Sequence, residues 1–283
     1  MSNVTVRLLV FFIGLPILLA IVVVFNEPYH IGFNLLAIAT SAVCTVEAAN
    51  LFAHKAKNYR IRGIGLPLLG TVLPISAFLA VVGVVPIESQ LGILAIATMA
   101  TLGVEAFRKN PTEFSEILPH ATTTLVLLLY PGFFFAYLVR ITALPHATAL
   151  VLVFLCAVYL NDSLAYATGK VFGHRSTSVL AVSPNKTLVG FLGGFVMSPI
   201  SILAAAVLDP NLFPGGPAQH LALGTAVGIA VILGDLAESA LKRSATIKDS
   251  GSVIPGRGGL LDSVDSALFA APVYYYLYQV LYM

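Results

Sequence analysis

Nine apolar runs, near residues 8–25, 31–52, 63–85, 89–106, 121–139, 147–160, 188–208, 220–240 and 261–281, follow one another with only short polar breaks. Most approach the roughly 20 residues that a helix needs to cross the hydrocarbon core of a bilayer. In lipid a backbone must satisfy its own hydrogen bonds, so such runs fold as helices rather than as an open sheet. Only 10% of the 283 residues are charged, against roughly a quarter in soluble domains. That composition excludes a soluble enzyme, a secreted disulfide scaffold and a disordered chain. The expected fold is all-α, a polytopic transmembrane helical bundle of about nine spanning helices with no separate soluble domain.

Lysine and arginine test this count, because they collect in cytoplasmic loops. With a cytoplasmic N-terminus, one side receives Arg7, Lys55, Lys57, Arg60, Arg62, Arg108, Lys109, Lys170, Arg175, Lys186, Lys242, Arg243, Lys248 and Arg257. The other side receives Arg140 alone, a division of 14 to 1. The first run ends in Val-Val-Val-Phe-Asn-Glu with no small-residue cleavage site, so it reads as a span rather than a signal peptide. A net charge of +2 is too small for a strongly basic nucleic-acid binder. Cys44 and Cys156 lie in apolar runs and are expected as buried thiols. Tyr274, Tyr275, Tyr276, Tyr278 and Tyr282 are expected to form an interfacial belt at the outer end of the last helix. Glu47 and Glu105 each precede a basic loop and read as its ion-pair partners, with a duplicated polar site as the alternative.

Charge is concentrated near the C-terminus. Nine charged residues fall between Asp235 and Asp265: Asp235, Glu238, Lys242, Arg243, Lys248, Asp249, Arg257, Asp262 and Asp265. A loop that only set topology would need no acids, since Asp and Glu contribute little to orientation. Asp235, Glu238, Ser239 and Lys242 form one helical stripe, and Asp262, Asp265 and Ser266 repeat the spacing of its first three members on the last helix. Two helices joined by a short connection thereby face each other with paired carboxylates. Such oxygens suit Mg2+, which takes one or two carboxylates together with substrate phosphates. Pro255-Gly256-Arg257-Gly258-Gly259 directly before a helix start offers backbone N–H groups for phosphate. Each element also has a plainer reading: the aspartates as helix-start residues, the cations as topology signals. A second polar island carries Asn161-Asp162, Gly169-Lys170 and Ser183-Pro184-Asn185-Lys186-Thr187, followed by Gly190 and Gly193-Gly194. Its glycines fit close helix packing and its Lys186-Thr187 fits a phosphate contact; spacing alone leaves both open. The six histidines are scattered, without HExxH or paired-Cys spacing, which argues against zinc.

Ser239-x-Leu241-Lys242-Arg243, then Lys248-Asp249-x-Gly251, then Ile254-Pro255-Gly256-x-Gly258-Gly259-Leu260-x-Asp262-x-x-Asp265 resembles the signature of the phosphatidate cytidylyltransferases, or CDP-diacylglycerol synthases. Gly234-Asp235-Leu236-x-Glu238-Ser239 matches upstream, as do Asp162, Ala165-Tyr166, Gly169, Phe172-Gly173 and Ser183-Pro184-x-Lys186-Thr187-x-x-Gly190. These motifs cover about 160–270, while the N-terminal half matches only as a stack of hydrophobic helices. The resemblance implies an enzyme, a nucleotidyltransferase that condenses CTP with phosphatidate to CDP-diacylglycerol and pyrophosphate in phospholipid biosynthesis, at the cytosolic face of the cell's inner membrane. It makes Asp235 and Asp262 the first choices for metal ligands, with Asp249 and Asp265 next. Lys248 joins these four in the catalytic set. Lys242, Arg243, Arg257, Gly258, Gly259, Asp162, Ser183, Lys186 and Thr187 are implied as substrate-binding. Mg2+ with a potassium ion beside it, and a homodimer, follow from the resemblance alone. Arg257 stands where the family usually has His, and Ser263 where it usually has Arg, so one cation is kept but moved. Leu164 replaces a usual Gly and Val189 a usual acid.

The chain divides in this reading into N-terminal transmembrane helices, 1–145, and a catalytic transmembrane region, 146–283. Two other functions compete. A CTP-dependent isoprenoid-alcohol kinase, or a CDP-lipid synthase with another acceptor, would use the same polar residues. A secondary transporter would place its acids near the midplane of two matching halves, whereas here they cluster at one face.

Overall fold

A computed structural model describes residues 3–53, 64–173, 180, 182–184, 186–256 and 258–283, with side chains from Ile13 onward. Its helices are α1 (Asn3–Val24), α2 (Ile31–Ala53), α3 (Gly65–Val81), α4 (Ser89–Ala106), α5 (Ile117–Leu127), α6 (Phe134–Ile141), α7 (Ala147–Phe172), α8 (Leu188–Phe195), α9 (Met197–Leu208), α10 (Pro217–Ser244) and α11 (Leu261–Tyr282). No strand occurs among the described residues; an antiparallel bridge joins Ile254 and Gly258. Among the described residues, six helical segments are long and apolar enough to cross a membrane: α2, α4, Pro111–Ile141, α7, Leu188–Leu208 and α10.

Local chemistry accounts for the breaks. A 3-10 turn at Pro111–Glu116, begun by a proline whose missing N–H has no partner to lose there, leads into α5. Between α5 and α6 the chain widens into a π turn, Leu128–Phe133, around Pro131. Pro131 cannot donate to the helix ladder, and the wider turn accommodates it. The Ser41 hydroxyl donates there to the carbonyls of Pro131 at 3.1 Å and Gly70 at 2.7 Å, joining α2 and α3 to this turn. The apolar run expected at 188–208 is two helices, α8 and α9, that meet at Val196.

Three expectations change. The run expected to end at residue 160 continues as α7 to Phe172, because no proline interrupts it and a single glycine, Gly169, is tolerated within a helix, even though Asn161 and Asp162 end the apolar stretch. The tyrosines of α11 do not form a common belt. Tyr274, Tyr275 and Tyr278 are buried, and the Tyr274 and Tyr278 hydroxyls donate to the carbonyls of Leu150 and Leu212. Buried tyrosines need such partners, and α11 supplies them by packing inside the bundle. Cys44 is buried but Cys156 is exposed, and both are free thiols. Packing also crosses the boundary expected at residue 145: α6 lies against α11, where the Tyr137 and Tyr276 hydroxyls stand 2.9 Å apart.

Candidate active site

The last turns of α10 and the first turns of α11 are brought together by a close backbone approach. A side chain on Gly234 would place its Cβ 2.6 Å from the Asp265 carbonyl, so only glycine lets α10 settle there. Asp235 and Glu238 on α10 thereby share one region with Asp262 and Asp265 on α11. The second polar island joins them through α7 and α8. A Cβ on Gly194 would stand 2.6 Å from the Asn161 carbonyl and one on Gly190 2.9 Å from that of Ala165. These glycines therefore serve helix packing, which settles one of the alternatives left open by their spacing. Thr187 caps α8, its hydroxyl accepting the Gly190 N–H at 3.2 Å.

The result is one cavity of about 420 Å³, whose wall includes Asp162, Lys186, Thr187, Asp235, Asp262 and Asp265. Six residues expected in the site, from two distant stretches of sequence, thus meet in one place. Lys186 pairs with Asp235, and Lys242 pairs with Glu238. Lys242 Nζ also donates to Asp262 Oδ1 at 2.6 Å. The other oxygen of Asp262 accepts from the Gly259 N–H at 2.7 Å and from the Ser250 N–H and hydroxyl, each at 2.9 Å. Asp265 is buried and accepts the Ser266 N–H at 2.7 Å, while the Ser266 hydroxyl donates to Asp162 at 3.4 Å. Burial pushes the Lys186 ammonium below the ordinary lysine range, with Asp265 and Asp162 pulling the other way.

Other expected site residues lie apart from this wall. Lys248 and Asp249 are exposed on the connection between α10 and α11. Arg243 is exposed, and its Nε donates to the Val182 carbonyl at 3.5 Å. Ser183 closes a turn, accepting the Lys186 N–H at 3.0 Å. Arg257 lies outside the described residues, as do Lys55, Lys57, Arg60 and Arg62. The glycine turn differs most from expectation. The Gly258 N–H bonds the Ile254 carbonyl at 3.1 Å, the Gly259 N–H bonds Asp262, and the Leu260 and Leu261 N–H groups bond a carboxylate from α2. Two of the backbone donors expected to face phosphate, those of Gly258 and Gly259, are thus taken up by the protein itself.

That α2 carboxylate is Glu47, which the sequence offers as the partner of a basic loop or as part of a duplicated polar site. It is 4% exposed, and its oxygens accept the N–H groups of Leu260 at 3.0 Å and Leu261 at 2.8 Å. It thus caps α11 from another helix, answering the positive end of the helix dipole. A Cβ on Gly251 would lie 2.4 Å from a Glu47 oxygen, and one on Gly259 would meet both the Ser250 hydroxyl at 2.2 Å and a Glu47 oxygen at 2.6 Å, so neither position has room for a side chain. Glu105, by contrast, does what its position suggests and pairs with Arg108. Glu238 is the second residue left out of the expected set, although its place in the α10 stripe marked it.

Among the described residues, no three His, Cys, Asp or Glu side chains gather as a ready-made metal cluster. The donor set still fits Mg2+, which needs only one or two carboxylates when phosphates and water complete its shell. Asp235 and Asp262 already hold cationic partners, the ammonium groups of Lys186 and Lys242.

The profile described as Cytidylyltransferase family matches residues 5–281. A phosphatidate cytidylyltransferase of Bacillus subtilis is 36% identical over 191 residues, 67% of this chain and 68% of that one. One from Thermotoga maritima is 35% identical over 170 residues, 59% and 62% of the two chains. An uncharacterized Escherichia coli protein, YnbB, is 38% identical over 157 residues, 50% and 51% of the two. The matched stretches span about half to two thirds of these relatives.

Proposed function

Because the chain belongs to the cytidylyltransferase family, we propose that it is a phosphatidate cytidylyltransferase, joining CTP and phosphatidate into CDP-diacylglycerol and pyrophosphate. The observation that carries this reading is the single cavity that gathers Asp162, Lys186 and Thr187 with Asp235, Asp262 and Asp265. Both substrates are anionic phosphates, and the cavity offers them an ammonium and a hydroxyl from one side and carboxylates for a cation from the other.

In the reaction an oxygen of the lipid phosphate attacks the α-phosphorus of CTP. A new phosphorus–oxygen bond forms, the bond to the β-phosphate breaks, and pyrophosphate leaves with the electron pair. Phosphatidate is already ionised at neutral pH, so no strong protein base is needed. Lys186 lies where it can exchange its Asp235 partner for a phosphate oxygen. Lys242, held between Glu238 and Asp262, keeps the α10 and α11 carboxylates together as charge moves. Asp235 and Asp262, with Asp265 beside them, would hold Mg2+. When bound, that ion supplies charge neutralisation at the phosphates.

The same reading takes the membrane arrangement as nine spans with the N-terminus and this cavity on the cytosolic side of the cell membrane. The 14 to 1 division of cations supports it, and CTP is found on that side. A potassium ion beside Mg2+ and a homodimer belong to the same reading through the family resemblance. Purified protein given CTP, Mg2+ and phosphatidate should form CDP-diacylglycerol and pyrophosphate in equal amounts. Release of CDP with a phosphorylated lipid would identify a kinase instead.

A further inference from the structure

A second cavity, of about 290 Å³, adjoins the first, and Asp162 belongs to the wall of both. Its one charged residue and both serines, Asp162, Ser163 and Ser263, lie at one end, Thr40 and Tyr159 add hydroxyls farther along, and Leu15, Phe33 and Leu155 lie among its apolar walls. The direction of this polarity follows from helix geometry. Glu47, near the end of α2, touches the start of α11, so that end of α2 stands at the level of the polar cavity. Phe33 lies 14 residues earlier on the same helix, roughly 20 Å away at 1.5 Å per residue. On α7, Leu155 precedes Asp162 by about two turns, roughly 10 Å. The groove therefore descends from the polar face toward the opposite half of a hydrocarbon core about 30 Å thick.

A phosphate headgroup joined to a long hydrocarbon chain has this same order of polarity. Resting on the function proposed above, we propose that one acyl chain of the lipid acceptor lies in this groove while its phosphate reaches the polar cavity across Asp162. Ser163 and Ser263 at the rim offer hydroxyl donors to the ester oxygens between chain and phosphate. Ordinary bilayer lipid is the competing occupant. It would fill an apolar crevice equally well, but would gain nothing from the continuity with a cation- and phosphate-binding cavity.

Gly14 gives the test. It lines the groove, is exposed, and a Cβ placed on it meets nothing within 4 Å, so a large side chain enters open space rather than the protein. Gly14→Phe should raise KM for dioleoyl phosphatidate about fivefold or more, because the ring displaces at least one or two buried methylenes. The rise should be smaller for dihexanoyl phosphatidate, whose chains end near the rim. An equal effect, or none, on both lipids would overturn the proposal. A second measurement needs no turnover: phosphatidate with a photoreactive group near the end of one acyl chain should label Gly14–Leu18 and Phe33–Thr40. Excess dioleoyl phosphatidate should compete, whereas dioleoyl phosphatidylcholine should not. Label on the lipid-exposed α4, around Ile96 and Met99, or equal competition by both lipids, would show bulk lipid and reject the groove. Specific labelling without pyrophosphate release would reject the reaction and keep the groove; turnover with scattered labelling would do the reverse.

Discussion

Asp262 and Asp235 differ in what the protein asks of them. Asp262 accepts four hydrogen bonds, three of them from Gly259 and Ser250 on the connection, so its carboxylate shapes the site as well as lining it. Asn at this position keeps one acceptor and introduces an amide that faces donors, with a loss of about 1–3 kcal/mol for each buried group left unpaired. Asp262→Asn should therefore lower pyrophosphate release about 100-fold or more and also lower the melting temperature. Asp235, half-exposed, is tied to Lys186, and such pairs contribute at most about 1 kcal/mol. Asp235→Asn should lower release as strongly while leaving the melting temperature nearly unchanged. Melting curves and a pyrophosphate assay on both variants check this difference, and equal thermal losses would remove it. Glu47 makes a third case: Glu47→Gln turns one of two acceptors toward N–H donors, which should lower the melting temperature by roughly 3–10 °C and reduce turnover, although Glu47 is outside the cavity wall. The aspartates were legible in sequence because helical spacing puts them on one stripe. Glu47's capping role was not, because the donors it accepts are more than 200 residues away in sequence.

At the scale of elements, glycine decides how closely helices meet, and the consequence is specific to α10 and α11. Gly234→Ala would press a methyl group against the Asp265 carbonyl, and backbone cannot turn aside as a side chain can. The expected cost is about 1–3 kcal/mol, read as a lower melting temperature together with a fall in turnover. Ala in place of Gly103 on α4, where a Cβ meets nothing within 4 Å, serves as the comparison and should change neither. Helix existence was readable from apolar runs, and so was the pairing of α10 with α11, whose connection is short. Helix ends were less so. α7 continues three turns past its apolar part because polar residues within a bundle keep helical hydrogen bonds as well as leucines do. The burial of Tyr274, Tyr275 and Tyr278 depended on which face of α11 meets α7 and α6, and an all-round apolar and aromatic sequence does not reveal that face.

For the whole molecule, the two polar islands occupy separate parts of the chain yet meet in one cavity, and the nine-span arrangement proposed above puts that cavity on the cytosolic side. In a Cys156→Ala background, a cysteine replacing exposed Ser252 should react with an impermeant thiol reagent only from the cytosol. One replacing Gly216, where added atoms meet open space, should react only from outside. Labelling of both from the same side would overturn the nine-span arrangement. The central claim is that CTP donates its α-phosphoryl group, with the nucleoside attached, to a lipid phosphate. The most direct measurement follows radioactive phosphorus from CTP into the lipid fraction in the presence of phosphatidate and Mg2+. CTP labelled at the α-position should transfer its label to the lipid, and CTP labelled at the γ-position should leave its label in water-soluble pyrophosphate. Label from the γ-position in the lipid, with none from the α-position, would contradict the account.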